Sequence, residues 1–296
     1  MSITGVGMSD ESIESPERHL WTLFEPVHAI TYFAPEAQEA FEEAGLRGFW
    51  RGYFGGRAAP LGAVDAGAVT ALFFGFHPSF VERAVPDVWS RCSPADALAA
   101  RLEGVDRAWT AHGLPSDRMQ LKRAAFILRR AAESVADDRR PMFAANLALD
   151  WPDAPHLALW HGTTLLREHR GDGHLTALTV HDLGPCDAHV VRLARTGTAV
   201  DTVQPFRGWS DEDWAAAVGR LHERGVVDEA GQLTAVGIAL HADVEALTDR
   251  LATRALRTVQ QELAELAHIV APIVAALEGR VIPYPNPMGV ERFDAS

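Results

Sequence analysis

Leu221-His222-Glu223-Arg224-Gly225-Val226-Val227, then Asp228-Glu229-Ala230-Gly231-Gln232, then Leu233-Thr234, is the stretch on which the fold turns. A glycine at 225 suits a helix end, where a residue without Cβ adopts the left-handed conformation at little cost. Val226-Val227 and Leu233-Thr234 are β-favouring pairs flanking a polar turn. A further helix begins at about Val236. Helix, short strand, turn, short strand and helix is the order of a winged helix, with the hairpin as the wing. The alternative is an isolated hairpin between helices.

Upstream, Ser210 predicts an N-cap for a helix from Asp211 to Arg224, with Asp213 reaching back to the cap. Short helices are expected at about 174–180 and 185–194, and a long one from His156 to His169 ending at Gly171. Residues 146–155 read as a joint between halves. In the first half, His19 to Phe24 starts an amphipathic helix that Pro26 either kinks or ends. Helices are predicted over Glu36–Ala44, from Pro94 to His112 with Ser93 as N-cap, and from about Asp117 to Ala136. Val69–Phe76 is apolar and fits a buried strand or helix, and Gly55-Gly56 reads as a loop used for backbone packing.

These elements point to a mainly α fold of the winged helix-turn-helix kind. Leu20–Leu46 can be laid over Leu157–Leu183, and such a duplication would make two tandem winged-helix-like modules. The expected organisation is a disordered arm (1–16), a helical winged-helix-like module (17–150), a winged-helix module (151–280) and a Pro-rich tail (281–296).

Composition narrows the function. With 47% hydrophobic residues, a chain of 296 residues can bury a sizeable core. No apolar run approaches the length of a membrane span, and no secretory signal is present, so a cytoplasmic protein is expected. Two cysteines, Cys92 and Cys186, exclude a disulfide framework and a Cys-based zinc site. A net charge of −13 repels duplex DNA unless basic side chains gather on one face.

Three strings resemble a known family. Phe24-Glu25-Pro26-Val27-His28-Ala29, Gly45-Leu46-Arg47-Gly48-Phe49-Trp50 and Leu166-Arg167-Glu168-His169-Arg170-Gly171-Asp172-Gly173-His174 are similar to those of an actinobacterial helix-turn-helix family. It is described as MarR-like, and its members often lie beside natural-product pathways (the SalK-like proteins). The resemblance covers about residues 18 to 270 and implies a tandem or elaborated winged-helix fold. It implies no particular activity, because the family rests on fold.

For DNA, the candidate reading helix is Pro185–Arg195, offering His189, Arg192 and Arg195 but also Asp187. The wing tip is Asp228-Glu229, where phosphate contact calls for Arg or Lys, and no lysine follows Lys122. The fold supports DNA binding and the side chains disfavour it.

A small-molecule site has the stronger signal. Glu25, His28 and Tyr32 share one helix face, on which a Glu–His pair would orient the imidazole and raise its basicity. The bland reading is a buried pair at the Pro26 kink. Trp160, His161, Thr164, Arg167, Glu168, His169 and Arg170 lie on the matching helix, and Phe49, Trp50, Tyr53 and Phe54 supply an aromatic wall. Together they describe an apolar pocket with a few polar groups. His169 and His174 flank a Gly-Asp-Gly turn without any recognised metal spacing, and Arg170 and Asp172 are expected to tie that turn to the next helix.

The reading is a small-molecule-binding MarR-like protein: a ligand-responsive regulator with weak or lost DNA binding. Its expected ligand is a small organic molecule, aromatic or polyketide-like. The alternative is an enzyme of specialised metabolism, with His28 and His161 as acid/base groups beside Glu25 or Glu168; a protein-interaction scaffold is a third option. No cofactor, metal or membrane partner is expected. The long helices after Val236 would serve a homodimer.

Overall fold

The computed structural model of the protein describes residues 16–136, 139–284, 286, 290 and 292. All but Pro16 of the disordered arm expected over 1–16, and most of the tail expected over 281–296, lie outside them; Pro16 is the first residue of a helix.

The first half is a stack of helices: α1 (Pro16–Phe33), α2 (Pro35–Glu43), α3 (Phe49–Ala58), α4 (Ala66–Phe73), α5 (Pro78–Glu82), α6 (Asp87–Arg91), α7 (Pro94–Ala111), α8 (Arg118–Glu133) and α9 (Pro141–Leu147). The second half contains α10 (Pro155–Val180), α11 (Pro185–Thr196), α12 (Gln204–Arg207), α13 (Asp211–Glu223), α14 (Ala235–Leu256) and α15 (Leu263–Leu277). The start signals act as the residues dictate. Ser93 Oγ accepts the Asp96 N–H to begin α7, and Ser210 and Asp213 form the expected capping box of α13.

Two open alternatives are decided and two local expectations change. α1 runs through Pro26 as one helix. Val69 to Phe73 lies in α4, which settles the strand-or-helix ambiguity in favour of helix. Gly55-Gly56 is not a loop but part of α3, where Gly56 faces the Phe41 ring so closely that a Cβ would sit 2.4 Å from its Cζ. Finally, α10 does not end at Gly171 but continues unbroken to Val180, absorbing the helix expected at 174–180. A Cβ at Gly173 would lie 3.0 Å from Arg140 Nη1 and 3.3 Å from Leu251 Cβ. The glycine therefore admits neighbours to the helix flank and does not terminate it.

The apolar interior falls into two clusters. The larger joins α1 to α9 with Leu159, Trp160, Leu165 and Leu166 of α10 and the inner face of α15. The smaller gathers Ala177 and Leu178 at the far end of α10 with Val190 and Val191 of α11, Ala217 and Leu221 of α13, Val226, Val227 and Val244. α10 is thus shared by both.

The smaller cluster holds α11 and α13, joined through α12, in the stretch where the sequence predicts the winged helix. Gly208, after α12, has φ +77°, and a Cβ there would be 2.5 Å from Phe80 Cβ. The expected wing is reduced to a single antiparallel bridge, Val227 to Leu233; among the described residues no longer strand pairing forms there. The hairpin is only long enough for one ladder step. Its tip is closed by Asp228, whose Oδ1 accepts the N–H groups of Ala230 and Gln232 at 2.9 Å each.

Candidate functional site

α1, α3 and α10 meet inside the larger cluster around a set of buried polar side chains. His28 is at the centre. Its Nδ1 lies 2.9 Å from Thr164 Oγ1, and its Nε2 lies 2.9 Å from the Tyr32 hydroxyl. The Trp160 indole N–H donates to the His28 carbonyl at 3.2 Å, and its ring is nearly parallel to the imidazole with centroids 6.2 Å apart. Burial, with Arg167 adding to it, holds the His28 pKa well below the ordinary value, so the ring is neutral at pH 7.

The expected Glu25–His28 pair does not form. Glu25 instead accepts from Arg167 Nε at 3.1 Å. Spacing along one helix identifies neighbours on that helix, and Arg167 comes from another one. Arg167 also donates to Glu168 through Nη1 at 2.8 Å. Glu168 receives a fork from Arg57, with Nε and Nη2 each 3.1 Å from a carboxylate oxygen. Burial opposes ionisation of Glu168, but Arg167 and Arg57 outweigh it and hold its carboxyl far below the usual carboxylate range.

Arg57 extends the network outward. Its Nη1 donates to the Tyr53 hydroxyl at 3.1 Å, and its guanidinium carbon lies 4.2 Å from the centroid of the Phe73 ring. Two further arginines join. Arg207, from α12, hydrogen-bonds Tyr53 and lies 4.3 Å from the Phe76 ring centroid. Arg101, from α7, is 5% exposed, lies 5.3 Å from the centroid of the Trp160 ring, and donates to Gly56 O and Asn146 Oδ1 at 3.4 Å. Burial pulls its pKa down to about 10, which leaves it charged at neutral pH.

The sequence-predicted residues separate into two groups. Glu25, His28, Tyr32, Tyr53, Trp160, Thr164, Arg167 and Glu168 come together, with Phe49, Trp50 and Phe54 in the ring cluster around Tyr53. His161, His169 and Arg170 point elsewhere. His161 packs edge-on against Trp151, with ring centroids 4.9 Å apart. His169 packs against Phe143 at 5.1 Å. Arg170 pairs with Asp249 and Glu245 of α14. The turn expected between His169 and His174 is absent, since both lie within α10; His174 Nδ1 is 3.0 Å from Thr248 Oγ1, and Asp172 accepts the Phe143 N–H. Arg170 and Asp172 therefore tie α10 to α14 and α9. Among the described residues no three His, Cys, Asp or Glu side chains are grouped as metal ligands.

The spacing argument missed Arg57, Arg101 and Arg207. Arg57 carried one local signal, its position one turn after Tyr53. The other two come from distant segments and carried none.

Little space remains at the site. A cavity of about 10 Å³, room for roughly one water, lies between α1, α2 and α3, lined by Thr31, Tyr32, Phe41, Phe49, Gly52 and Tyr53. A second of about 20 Å³ lies between α1, α10 and α14.

On the candidate DNA face, His189 is half-buried, its Nε2 2.8 Å from the Gly75 carbonyl oxygen. Arg195 is exposed and Arg192 half-buried. Asp187 caps its own helix and pairs with Arg220 at 2.6 Å. No described helix is long and apolar enough to cross a membrane.

No curated protein and no solved structure matches this chain. The model of a family described as "Helix-turn-helix family" matches residues 17–283, nearly all of the described structure, and the chain belongs to that family.

Proposed function

We propose that this protein is a ligand-responsive regulator of the MarR-like winged-helix kind, in which a small molecule taken into the larger cluster sets the state of the helix-turn-helix unit. The observation that carries this reading is Arg207. It belongs to the segment joining α11 to α13, yet its side chain is buried over Phe76 and bonded to Tyr53 among the ionic groups of the first half. An occupant that disturbs Tyr53 or Arg57 therefore changes the seat of the helix-turn-helix joint. Coupling of this kind requires that the occupant bind the two arrangements with different affinity.

DNA contact is weak or lost in this reading. The second helix of such a pair enters the major groove with its N-terminal turn leading. In this reading that helix is α13, which directly precedes the hairpin, in place of the Pro185–Arg195 segment, and it leads with Asp211, Glu212 and Asp213. Of the basic side chains beside it, Arg220 is engaged by Asp187, and Arg224 donates to the carbonyls of His181 and Asp182 at the end of α10.

An acid/base enzyme on the same scaffold has less support, because Glu25 and Glu168 are bound to arginines and His161 lies apart from His28.

Amide hydrogen exchange tests the regulator reading. Compounds that bind the protein are expected to change exchange across residues 185–223 as well as around Tyr53. A compound that protects the Tyr53 region and leaves 185–223 unaltered defeats it. A mobility-shift titration at low salt on DNA flanking its own gene should show weak retardation or none; tight binding would correct the DNA part.

A further inference from the structure

We infer that the cavity between α1, α10 and α14 is the seat of the ligand, and that the ligand is a neutral, apolar ring compound bearing a carbonyl oxygen for Arg170. This rests on the ligand reading above and names the place and chemical class of the occupant.

Each helix gives one face to the cavity. Leu20 and Phe24 of α1, Leu166 and Arg170 of α10, and Ala252 and Leu256 of α14 line it as i, i+4 pairs around about 20 Å³. The walls are apolar except at Arg167, His169 and Arg170.

Those polar groups decide the chemistry. Arg167 is neutralised by Glu25 and Glu168, and Arg170 by Glu245 and Asp249. Neither guanidinium is left over to call for an anion. Arg170 Nε is nevertheless buried and bonded to nothing among the described residues, and a guanidinium N–H can only donate. A donor withdrawn from water is costly until it meets an acceptor. An uncharged acceptor on an apolar body, a carbonyl oxygen, satisfies it without disturbing the ion pairs. His169, 1% exposed, also lines the cavity, and its Nε2 is buried without a partner. Burial pushes its pKa down to about 3, so the ring is neutral and takes either hydrogen-bonding role towards a further polar atom of the ligand.

Trp21 is the door. It lines the cavity, is half-buried, and belongs to neither apolar cluster. Its ring is held by cations, with the Arg170 guanidinium carbon 4.8 Å and that of Arg18 6.0 Å from the centroid. An indole turned outward vacates more volume than a benzene ring needs. Occupancy is carried inward by Arg167, because Glu168 joins it to Arg57 and so to Tyr53.

The test varies one oxygen at constant shape. Isotopically labelled protein is titrated with acetophenone, ethylbenzene or sodium benzoate, and the indole N–H resonance of Trp21, assigned through Trp21→Phe, is followed by NMR. Acetophenone is expected to move that resonance and to bind about 3- to 10-fold tighter than ethylbenzene, the gain of one hydrogen bond from a buried donor, while benzoate leaves it in place. Arg170→Lys keeps a cation opposite Glu245 and Asp249 but has no Nε, and should bring the two affinities together. Ala252→Leu puts a larger side chain into the cavity and should abolish binding of both. Equal wild-type affinities for acetophenone and ethylbenzene would overturn the carbonyl assignment. Tighter binding of benzoate would overturn the neutral ligand, and a Trp21 resonance that none of the three moves would overturn the site. None of these readouts involves DNA or residues 185–223. Acetophenone that binds at Trp21 and leaves exchange over 185–223 unaltered would defeat the regulator reading and leave the site standing.

Discussion

His189 Nε2 approaches the Gly75 carbonyl oxygen to 2.8 Å, and the Trp209 indole N–H reaches the same oxygen at 3.1 Å. One backbone carbonyl after α4 thus receives α11 from one side and the segment before α13 from the other. The contact is tight, since a Cβ on Gly75 would lie 2.9 Å from that imidazole nitrogen. The helix-turn-helix unit is pinned to the first half by this point and by Arg207.

Replacing His189 with alanine should therefore cost about 1–3 kcal/mol, from the lost bond and the space left behind, since Trp209 still satisfies the carbonyl. Hydrogen exchange is the discriminating measurement. Protection should fall over 74–77 and 185–196 and stay unchanged in α1.

Glu168 holds two arginines, and Glu168→Gln would leave both guanidinium groups without their shared carboxylate. A loss of about 3–5 kcal/mol in chemical denaturation is expected. Adding Arg57→Met should recover part of it, because that change removes the cation for which Glu168 is the carboxylate partner. A strictly additive double variant would show that the two side chains do not act as a pair.

Acid should weaken the fold at a pH where most of its carboxylates are still ionised. His161, His169 and His189 are pushed down to about 3 and His174 to about 4, in each case chiefly by burial, and His28 is also well below its ordinary value. The folded state keeps these rings neutral while the unfolded chain takes up protons below about pH 6.5. Their stabilising contribution is complete above that pH and declines as pH falls towards 3–4, by up to about 1.4 kcal/mol per group per pH unit. Asp172, raised to about 6 by burial, acts in the opposite direction over about pH 6 to 4, as one group against five. Urea midpoints measured from pH 8 to 5 should stay level down to about 6.5 and then drop. A midpoint that rises on acidification would contradict the buried neutral rings.

Two glycines should respond oppositely to alanine. At Gly104 a Cβ would lie 2.6 Å from Ala37 Cα, so Gly104→Ala forces α7 and α2 apart and should cost about 1–3 kcal/mol. At Gly219 nothing lies within 4 Å, and Gly219→Ala in exposed α13 should stabilise by up to about 1 kcal/mol. Thermal midpoints of the two variants should bracket the wild type.

The acidic leading turn of α13 should be what weakens duplex binding. Asp211→Lys with Glu212→Lys is expected to raise non-specific affinity for duplex DNA and to steepen its dependence on salt, as each phosphate contact releases counterions. Both residues are exposed, and the capping pair Ser210–Asp213 is left intact. Unchanged affinity would mean that α13 does not face the duplex.

Local chemistry made much of the fold legible. Ser93, Ser210 and the glycines at 45, 113 and 225 mark helix ends in the sequence and do so in the structure. Gly55, Gly56, Gly171 and Gly173 carry the same letter and act otherwise, because in each case the helix continues and only a neighbour nine or more positions away explains the missing side chain at 55, 56 and 173. The site divides similarly. Tyr32 and His28 are one turn apart and do meet, whereas Glu25 takes a partner 142 positions away. Helical spacing ranks neighbours within one element. It is silent on which of several arginines in other elements reaches a carboxylate first.

α10 crosses both apolar clusters as one rod of 26 residues, which at 1.5 Å per residue is about 39 Å long. Thr164, Arg167 and Glu168 grip it near its middle, while Ala177 and Leu178 seat α11 and α13 at its far end. A tilt of about 5° about the ionic grip displaces the Val180 tip, about 18 Å away, by roughly 1.5 Å, the rise of one helical residue. The helix can therefore act as a rocker, carrying a small rotation beside His28 into a shift of the distant helix pair.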